Sequence, residues 1–566
     1  MNKNRKKYDI LFLAGALLLL GFMGCKKYAN PAPVYEELVR TTTLQRKVLV
    51  ISIDGLTGTE LQAVAPANIS ALQKSSKYSY NVLTSSVATD AGSWASILTG
   101  VGYTKHLISQ NTFDKDLTAG SGDFEGSITS YRNVFDYITQ FKNVKTALVT
   151  PWDPLRNYLK NTDFSPVITT DLAVKDSTIN ILNTQNSLGA MIVNFRDVEA
   201  AGANGGYLST NNNYKDAIVK ADAYVGNILT ALKARKNYAN EDWLVILTTN
   251  HGGSSLDPKN GFFIASNPGF KEKELKKTGF NTILFKGTDV IAEVPNDNGL
   301  YNAGSTQDFT VQMQVKFNGQ TSYPGFLSKS TDVLGTTGTG WVLRQGGNSY
   351  LCVVGGSANG GAGTNEFTGG IAADGSWHTI AITVKYGNTS TRTLTTWLDG
   401  VAVTTTNISA KGNLSTQEKL TLGYRSVYGV NTALNFQAAD LCYFNVALDA
   451  ATLLANKGLK DMKQHPNYVN LTGYWPIDEG GEGLIANKAP GGYNMVLKGS
   501  YKWIAMGTDV PASVAVDPNA TDKSIIVANY SIGANILYWM NIKNLASFGI
   551  DGDPFLNQFE SEFLLN

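Results

Sequence analysis

The chain contains 566 residues, of which 43% are hydrophobic and 16% are charged, a composition typical of a folded protein with about two to four domains. Its formal net charge of +1 gives no indication of nucleic-acid binding, because proteins that bind phosphate backbones carry a basic excess. Three cysteines are too few for a disulfide framework or a cysteine metal cluster.

The first 25 residues have the pattern of an export signal. Basic residues precede an apolar run over 10–23, which is shorter than the roughly 20 residues that span a bilayer. The run ends in Phe22-Met23-Gly24-Cys25, which resembles a bacterial lipobox and would place the lipid on Cys25. We therefore predict a signal peptide at 1–25, a linker at 26–45 and a lipid-anchored protein of the cell envelope. An uncleaved anchor helix is the alternative.

Short apolar segments alternate with helical patterns over residues 46–295. Apolar residues at helical spacing predict a helix over 214–235. Strands are predicted at 47–53, 146–150, 190–195 and 243–249. This alternation favours an α/β domain, in which a doubly wound parallel sheet is covered by helices on both faces.

The composition and the hydrophobic pattern change over residues 300–505, which are rich in Gly, Thr, Ser and Asn and contain short segments of alternating polarity. This pattern predicts an all-β sandwich. The α/β pattern returns over 515–566, so we expect the sandwich to interrupt the α/β domain. Cys352 and Cys442 lie in apolar strand-like segments and are predicted to be buried small hydrophobic side chains, with a disulfide between them left open.

Polar residues follow two of the predicted parallel strands. Strand 47–53 runs directly into Asp54-Gly55, and strand 243–249 is followed by Asn250-His251-Gly252-Gly253. A buried strand that ends in this way delivers a carboxylate into a crevice of the fold. In many hydrolases such a carboxylate holds a metal ion, whereas a plain turn at the strand end is the alternative.

Four further motifs contribute to a family resemblance: Thr89-Asp90, Leu98-Thr99-Gly100, Lys105-His106 and the string from Phe195 to Gly202. Together they resemble the type I phosphodiesterase/nucleotide pyrophosphatase branch of the alkaline phosphatase superfamily, over 46–295 and 515–566. The resemblance implies two metal ions, usually zinc, held by three Asp and three His beside a Thr or Ser nucleophile.

Carried over by position, the resemblance makes Asp54 the first carboxylate ligand and Thr89 the nucleophile. Spacing back from Gly100 falls nearer Asp90, which cannot do the chemistry of a threonine but could bind a metal. The choice between Thr89 and Asp90 at the nucleophile position therefore stays open.

The chain departs from the family pattern at several ligands. The usual Asp-His-Gly is Asn250-His251-Gly252, and a neutral amide is a poor replacement for a metal-binding carboxylate. The usual Asp-x-x-Gly-His ends here in Ala203, although its first residue, Glu199, can still ligate. Of the four histidines, His106 is expected to be structural, and two others fall in the sandwich.

We therefore expect one divalent metal ion, zinc by resemblance, rather than two. The candidate metal-site residues are Asp54, Thr89, Asp90, Glu199, Asn250 and His251. An eroded site on a scaffold used for binding, or a His251 that is only a turn residue, are the alternatives, so the sequence leaves open whether the chain is an enzyme.

Two segments of the predicted sandwich, Asp374-Gly375-Ser376-Trp377-His378 and Trp397-Leu398-Asp399-Gly400, resemble the LamG/concanavalin A-like lectin fold. Trp377 and His378 are expected to lie within the sandwich. The predicted function is hydrolysis of a phosphorylated or glycan-linked substrate through Thr89. The alternative is a non-catalytic protein that binds carbohydrate through 300–505 on a degenerate alkaline-phosphatase scaffold.

Overall fold

A computed structural model describes residues 44–85, 87–116, 130–255, 257–331, 338–356, 365–427, 432–511, 524–543 and 545–563. The predicted signal peptide, the lipidation site at Cys25 and nearly all of the linker at 26–45 lie outside these residues. Within the described residues, no helix has both the length and the apolar character needed to cross a membrane.

The strands that precede the sandwich are β1 (Gln45–Ile53), β2 (Ser76–Val82), β3 (Lys145–Val149), β4 (Leu188–Phe195), β5 (Glu241–Thr248), β6 (Gly252–Ser254), β7 (Asp257–Lys259), β8 (Gly261–Ser266) and β9 (Lys273–Glu274). The α-helices of the described residues are α1 (Gly58–Val64), α2 (Ala67–Gln73), α3 (Asp90–Thr99), α4 (Tyr103–His106), α5 (Val134–Phe141), α6 (Asp153–Tyr158), α7 (Asp171–Thr184), α8 (Asp197–Ala203), α9 (Asn212–Lys233), α10 (Ala450–Asn456), α11 (Asn529–Trp539) and α12 (Glu560–Phe563). Short 3-10 helices occur at Tyr238–Asn240, Ser409–Lys411, Met462–Gln464, Tyr468–Asn470, Leu545–Phe548 and Phe555–Phe559.

The α/β domain is built on a seven-stranded sheet of order β3-β4-β1-β5-β8-β2-β9. Strands β3, β4, β1 and β5 run parallel, and β8 is antiparallel to both β5 and β2. Val48 and Val50 of β1 enter one hydrophobic core, whereas Leu49 and Ile51 enter the other. The sheet is therefore covered on both faces, which explains why its central strands are uninterrupted apolar runs and confirms the predicted fold.

The two cores belong to different sets of helices. Helices α7 and α9 cover one face, and α3, α5 and α11 cover the other. Because α11 follows the sandwich in sequence, the chain leaves the α/β domain and returns to complete its core. The return begins as an extended segment rather than a strand: Leu83 donates its N–H to Val527 O at 2.8 Å, and Asn529 donates to Leu83 O at 3.2 Å.

The inserted domain consists of two large antiparallel sheets. Its strands are β10 (Asn281–Gly287), β11 (Ile291–Glu293), β12 (Phe309–Phe317), β13 (Thr321–Ser330), β14 (Gly340–Gly347), β15 (Ser349–Gly355), β16 (Asn365–Ile371), β17 (His378–Asn388), β18 (Thr391–Leu398), β19 (Val401–Asn407), β20 (Thr421–Arg425), β21 (Leu434–Phe444), β22 (Leu471–Trp475), β23 (Leu484–Ile485), β24 (Met495–Lys498) and β25 (Lys502–Ala505). One sheet has the order β19-β18-β17-β12-β21-β10-β25, with β22 beside β21, and the other has the order β16-β15-β14-β13-β20-β11-β24-β23.

Residues from both sheets share one hydrophobic core, which confirms the predicted sandwich. The transition to the sandwich lies earlier than the expected 295–300 boundary, because β10 and β11 pair with sandwich strands. A short strand of alternating polarity has the same sequence pattern in either domain, so only its pairing partners show to which domain it belongs. Cys352 and Cys442 are buried free thiols, as expected from their apolar surroundings.

Candidate metal centre

Asp54 immediately follows β1 and is completely buried. Its Oδ1 accepts a hydrogen bond from Ser52 Oγ at 2.5 Å, and its Oδ2 accepts from Trp94 Nε1 at 3.2 Å and from Arg196 Nη1 at 3.4 Å. Burial raises the pKa of this carboxyl group, while the Arg196 charge opposes the shift. Both oxygens of the predicted first ligand are thus already held by protein groups.

Gly55 allows the end of β1 to approach α8 closely. Its φ is +75°, a left-handed conformation that favours glycine, and a Cβ atom there would lie only 2.6 Å from Glu199 Cα. The glycine therefore brings the start of α8 against the strand end that carries Asp54.

Thr89 and Asp90 begin α3 and have different roles in the structure. Thr89 is the N-cap, and its Oγ1 accepts a hydrogen bond from Gly92 N at 3.1 Å. Asp90 directs Oδ1 to His251 Nε2 at 3.2 Å and Oδ2 to Arg196 Nη2 at 2.8 Å. Although burial opposes ionisation, His251 and Arg196 hold the pKa of Asp90 well below its usual range.

Asn250 follows β5 with a fixed amide orientation. Its Oδ1 accepts from the backbone N–H groups of His251 at 2.6 Å and Gly55 at 3.4 Å, and its Nδ2 donates to Asp90 Oδ1 at 2.7 Å. Because the amide oxygen already accepts two backbone donors, Asn250 supports Asp90 instead of offering an oxygen to a metal ion. This observation differs from the expectation that Asn250 belongs among the metal ligands.

His251 is buried between two groups that can only accept hydrogen bonds from it. Its Nδ1 faces Gly252 O at 3.4 Å and its Nε2 faces Asp90 Oδ1 at 3.2 Å. A neutral imidazole donates from only one nitrogen, so this ring is either protonated or shares a cation with Asp90. Burial opposes the charged form, but the Asp90 carboxylate outweighs it and raises the pKa of His251.

Glu199 lies in the first turn of α8. Its Oε2 is buried, lies 2.7 Å from Arg196 Nη2 and makes no hydrogen bond of acceptable geometry within the described part of the chain. Burial and the neighbouring Asp90 charge raise the pKa of Glu199 to about 8. Glu199 thus presents a buried carboxylate oxygen that is ion-paired with Arg196 but not hydrogen-bonded, so it can still serve as a ligand to a cation.

Arg196, which no sequence motif marked as a site residue, connects these carboxylates. It follows β4 directly, and its guanidinium lies 4.9 Å from the Trp152 ring centre. Asp171 at the start of α7 accepts from the backbone N–H of Arg196 at 3.0 Å and of Asp197 at 2.8 Å, which fixes the turn. The available signal was its position at the end of a parallel strand, within the string from Phe195 to Gly202 that also contains Glu199.

One divalent cation fits this donor set, and the full two-metal set does not. Ligand atoms of Asp90, Glu199 and His251 lie within 4.8 Å of one another. Two ligands that each lie about 2.1 Å from a tetrahedral zinc ion are roughly 3.4 Å apart, close to the observed separation of Asp90 Oδ1 and His251 Nε2. Asp54 lies behind Arg196 with both oxygens engaged, so no comparable second group is present among the described residues.

The cluster opens into a cleft of about 410 Å³. The cleft is lined by Thr89, Asp90, Ser109, Gln110, Asn111, Glu199, Tyr207, His251, Ser254 and Ser255. The structure thus brings Thr89 to the same cleft as three potential ligands, while its assignment as nucleophile stays a prediction. His106 is outside the cleft lining: it is buried, lies 2.9 Å from Ser96 Oγ through Nε2, and has a pKa lowered by burial to about 3, which suits the structural role expected of it.

Residues 48–316 match the family model of type I phosphodiesterase / nucleotide pyrophosphatase. None of the curated proteins gives a significant match. Similar solved structures include a 2-O GAG sulfatase, at 12% identity and a TM-score of 0.31 over 40% of this chain and 65% of that one. An inactive variant of murine ectonucleotide pyrophosphatase/phosphodiesterase 5 in complex with AMP matches at 15% identity and a TM-score of 0.30.

That murine match covers 37% of this chain and 57% of the other, so the chain spans less than two thirds of the length of either enzyme structure. The binding domain of botulinum neurotoxin DC in complex with SialylT is also similar, at 15% identity and a TM-score of 0.24, over 31% of this chain and 42% of that one.

Proposed function

We propose that the protein hydrolyses a phosphate ester with the help of one bound divalent cation, a proposal supported by the match of residues 48–316 to the family model of type I phosphodiesterase / nucleotide pyrophosphatase. The observation that carries the proposal is the convergence of Asp90, Glu199 and His251 on one cleft that also contains Thr89. We further propose that the substrate is a phosphorylated or glycan-linked molecule and that the protein acts at the cell envelope, held by a lipid on Cys25.

Asp90, Glu199 and His251 would hold the cation, which when bound supplies stabilisation of negative charge on the phosphoryl oxygens. Thr89 Oγ1 attacks phosphorus, the bond from phosphorus to the leaving alcohol breaks, and the alcohol departs with the proton. Water then breaks the bond from phosphorus to Thr89 Oγ1, which restores the threonine hydroxyl and releases phosphate from a monoester substrate or a phosphate monoester from a diester substrate. The Gly92 N–H and the amino end of α3 favour negative charge on Thr89 Oγ1 during attack.

Metal analysis of the purified soluble protein, combined with assays on bis-p-nitrophenyl phosphate and p-nitrophenyl phosphate, tests this proposal. We expect about one zinc ion per chain, hydrolysis of at least one of the two esters, loss of activity with a chelator and recovery when zinc is restored. A protein that binds no divalent metal after reconstitution and cleaves neither ester is a non-catalytic scaffold, and the proposal fails.

A second candidate function, carbohydrate binding by the sandwich, is favoured by a separate cleft of about 350 Å³. Four of its ten lining residues carry amide side chains: Asn318, Gln320, Gln345 and Asn435. Gln345 is fully buried, donates through Nε2 to Gly319 O at 2.7 Å and leaves Oε1 without a partner among the described residues. Amide groups pair well with sugar hydroxyls, and a cleft of this size suits one or two sugar rings. Trp377 and His378 lie elsewhere, half-buried near the start of β17, where His378 contacts Asp374 and Asp399.

A glycan array followed by calorimetry on the full soluble protein tests this second candidate. We expect saturable binding whose affinity is at least about 10-fold lower in Gln320→Ala, and likewise in Asn435→Ala. Each substitution removes the hydrogen bonds of one amide group, which contribute roughly 1.4 kcal/mol to the binding free energy. Gln417→Ala removes an exposed amide that does not line the cleft and should bind like the wild type. Absence of any bound glycan, or equal binding by all variants, would reject the cleft as a carbohydrate site.

A further inference from the structure

We propose that Arg196 is a permanently tethered cation that takes over one of the two metal positions implied by the family resemblance, so that this chain binds one divalent ion instead of two. The inference rests on the metal site of the proposed function, and it concerns how the chain's own residues determine the number of ions.

The contacts of Arg196 are those of a cation held at the centre of an anionic cluster. Its two terminal nitrogens reach three carboxylates: Nη1 lies 3.4 Å from Asp54, and Nη2 lies 2.8 Å from Asp90 and 2.7 Å from Glu199. The planar group is also positioned near the ring of Trp152, at 4.9 Å from its centre. Arginine suits this task better than lysine, because its planar fork binds several oxygens and cannot lose its charge in a protein.

Charge balance favours a single ion beside this guanidinium. Asp54, Asp90 and Glu199 together with Arg196 leave two uncompensated negative charges when all are ionised. One divalent cation neutralises them, whereas a second would leave two excess positive charges in a largely buried cluster. The other polar side chains that line the cleft are hydroxyl, amide and phenol groups, and His251 is counted as a neutral ligand. The buried Asp171 carboxylate lies outside the cleft, where the backbone N–H groups of Arg196 and Asp197 hold it, and the balance is therefore drawn over the three carboxylates that contact the guanidinium.

The two oxygens of Asp90 show how the cluster is divided. Oδ2 faces the guanidinium at 2.8 Å, while Oδ1 faces His251 Nε2 at 3.2 Å. Arg196 thus occupies one side of this carboxylate and leaves the side toward His251 for the exchangeable ion. On the far side of the guanidinium, Asp54 holds Nη1 and therefore positions Arg196, which explains how a carboxylate can be kept at the end of β1 without serving as a ligand.

The inference also accounts for the absent family ligands. Asn250 stands where the family pattern has a carboxylate, and Ala203 stands where it has a histidine. A tethered guanidinium needs neither, because hydrogen bonds to Asp54 and Asp90, an ion pair with Glu199 and the peptide link at the end of β4 hold it in place. It also remains when a chelator removes the exchangeable ion, so the cluster should stay assembled in the metal-free protein.

The test compares zinc stoichiometry and thermal melting of the wild type, Arg196→Met and Arg132→Met. The last variant removes an exposed guanidinium on the same domain and serves as the matched control. We expect about one zinc per chain for the wild type and Arg132→Met, and about two for Arg196→Met, since the freed carboxylates can then accept a second ion. Metal-free Arg196→Met should melt below the wild type and gain more from added zinc than the control does.

If Arg196→Met does not fold, the inference is tested with Arg196→Lys, which keeps the positive charge. It should bind one zinc ion with roughly 10- to 100-fold lower affinity, because a lysine cannot hold both Asp90 and Glu199 in position. Two ions on the wild type, none on the wild type, or an unchanged ion count in a folded Arg196→Met would each overturn the inference. These readouts do not depend on hydrolysis, so a protein that binds one ion but cleaves no ester would reject the proposed activity and leave this inference standing.

Discussion

Replacing Thr89 with alanine is expected to lower the rate of phosphodiester hydrolysis by at least about 10³-fold while leaving the bound ion in place. The hydroxyl is the attacking group in the proposed reaction, and the three candidate ligands, Asp90, Glu199 and His251, are untouched by the change. The measurement is the steady-state rate on bis-p-nitrophenyl phosphate together with the metal content of the same preparation.

The N-cap role of Thr89 requires its own control, because its Oγ1 also accepts a hydrogen bond from Gly92 N. Losing the cap alone costs about 1 kcal/mol of stability and could disturb the start of α3. Thr89→Asn retains a capping side chain without a nucleophilic hydroxyl, so it should melt like the wild type and remain inactive. Thr89→Ser should retain both the cap and activity. Full activity in Thr89→Ala or Thr89→Asn would remove Thr89 from the nucleophile position.

Replacing Asp90 with asparagine is expected to weaken zinc binding at least about 100-fold, equivalent to roughly 2.7 kcal/mol of binding free energy. Asp90 is the carboxylate that lies between His251 and Arg196, and its loss removes a ligand and one negative charge together. Its amide would also present N–H groups toward the Arg196 guanidinium, which is a donor as well. The measurement is competition for zinc against a chelator of known affinity.

Asp197→Asn is the matched control for this variant. Asp197 lies between Arg196 and Glu199 in sequence, but its carboxylate is about half exposed and pairs with Lys220 at 2.9 Å. Its loss should leave zinc affinity within about 2-fold of the wild type, since exposed ion pairs contribute little. Wild-type zinc affinity in Asp90→Asn, or equal weakening in both variants, would exclude Asp90 as a ligand.

Several features of the fold were predictable because short-range signals determine them. Strands β1, β4 and β5 are buried on both faces, so their sequences are uninterrupted apolar runs that require no knowledge of their neighbours. The repeated spacing of apolar residues in α9 likewise predicted one long amphipathic helix. The residues after β1 and β5 could be placed at one edge for the same reason, because strands of known direction deliver them there.

The sequence was a weaker guide to which side chains form the site. Thr89 and Asp90 are adjacent in sequence, and spacing alone did not show that one caps α3 while the other enters the cluster. A helix start separates neighbouring side chains by about 100° around the helix axis, so a shift of one residue changes which group faces the cleft. Asn250 was similarly ambiguous, because an amide can present either its oxygen or its nitrogen, and only the backbone donors around it determine which.

The sequence by itself determined the α/β domain with its inserted sandwich and the strand ends that carry Asp54 and His251. These features follow from the burial and periodicity of residues that are consecutive in the chain. Only the tertiary structure decided that Arg196 lies among Asp54 and Asp90, which are 142 and 106 residues away along the chain. It likewise assigned β10 to the sandwich through its pairing with β21. The reason is physical: the position of a long charged side chain depends on which partners the packed elements bring within a few ångströms, and no local pattern encodes those partners.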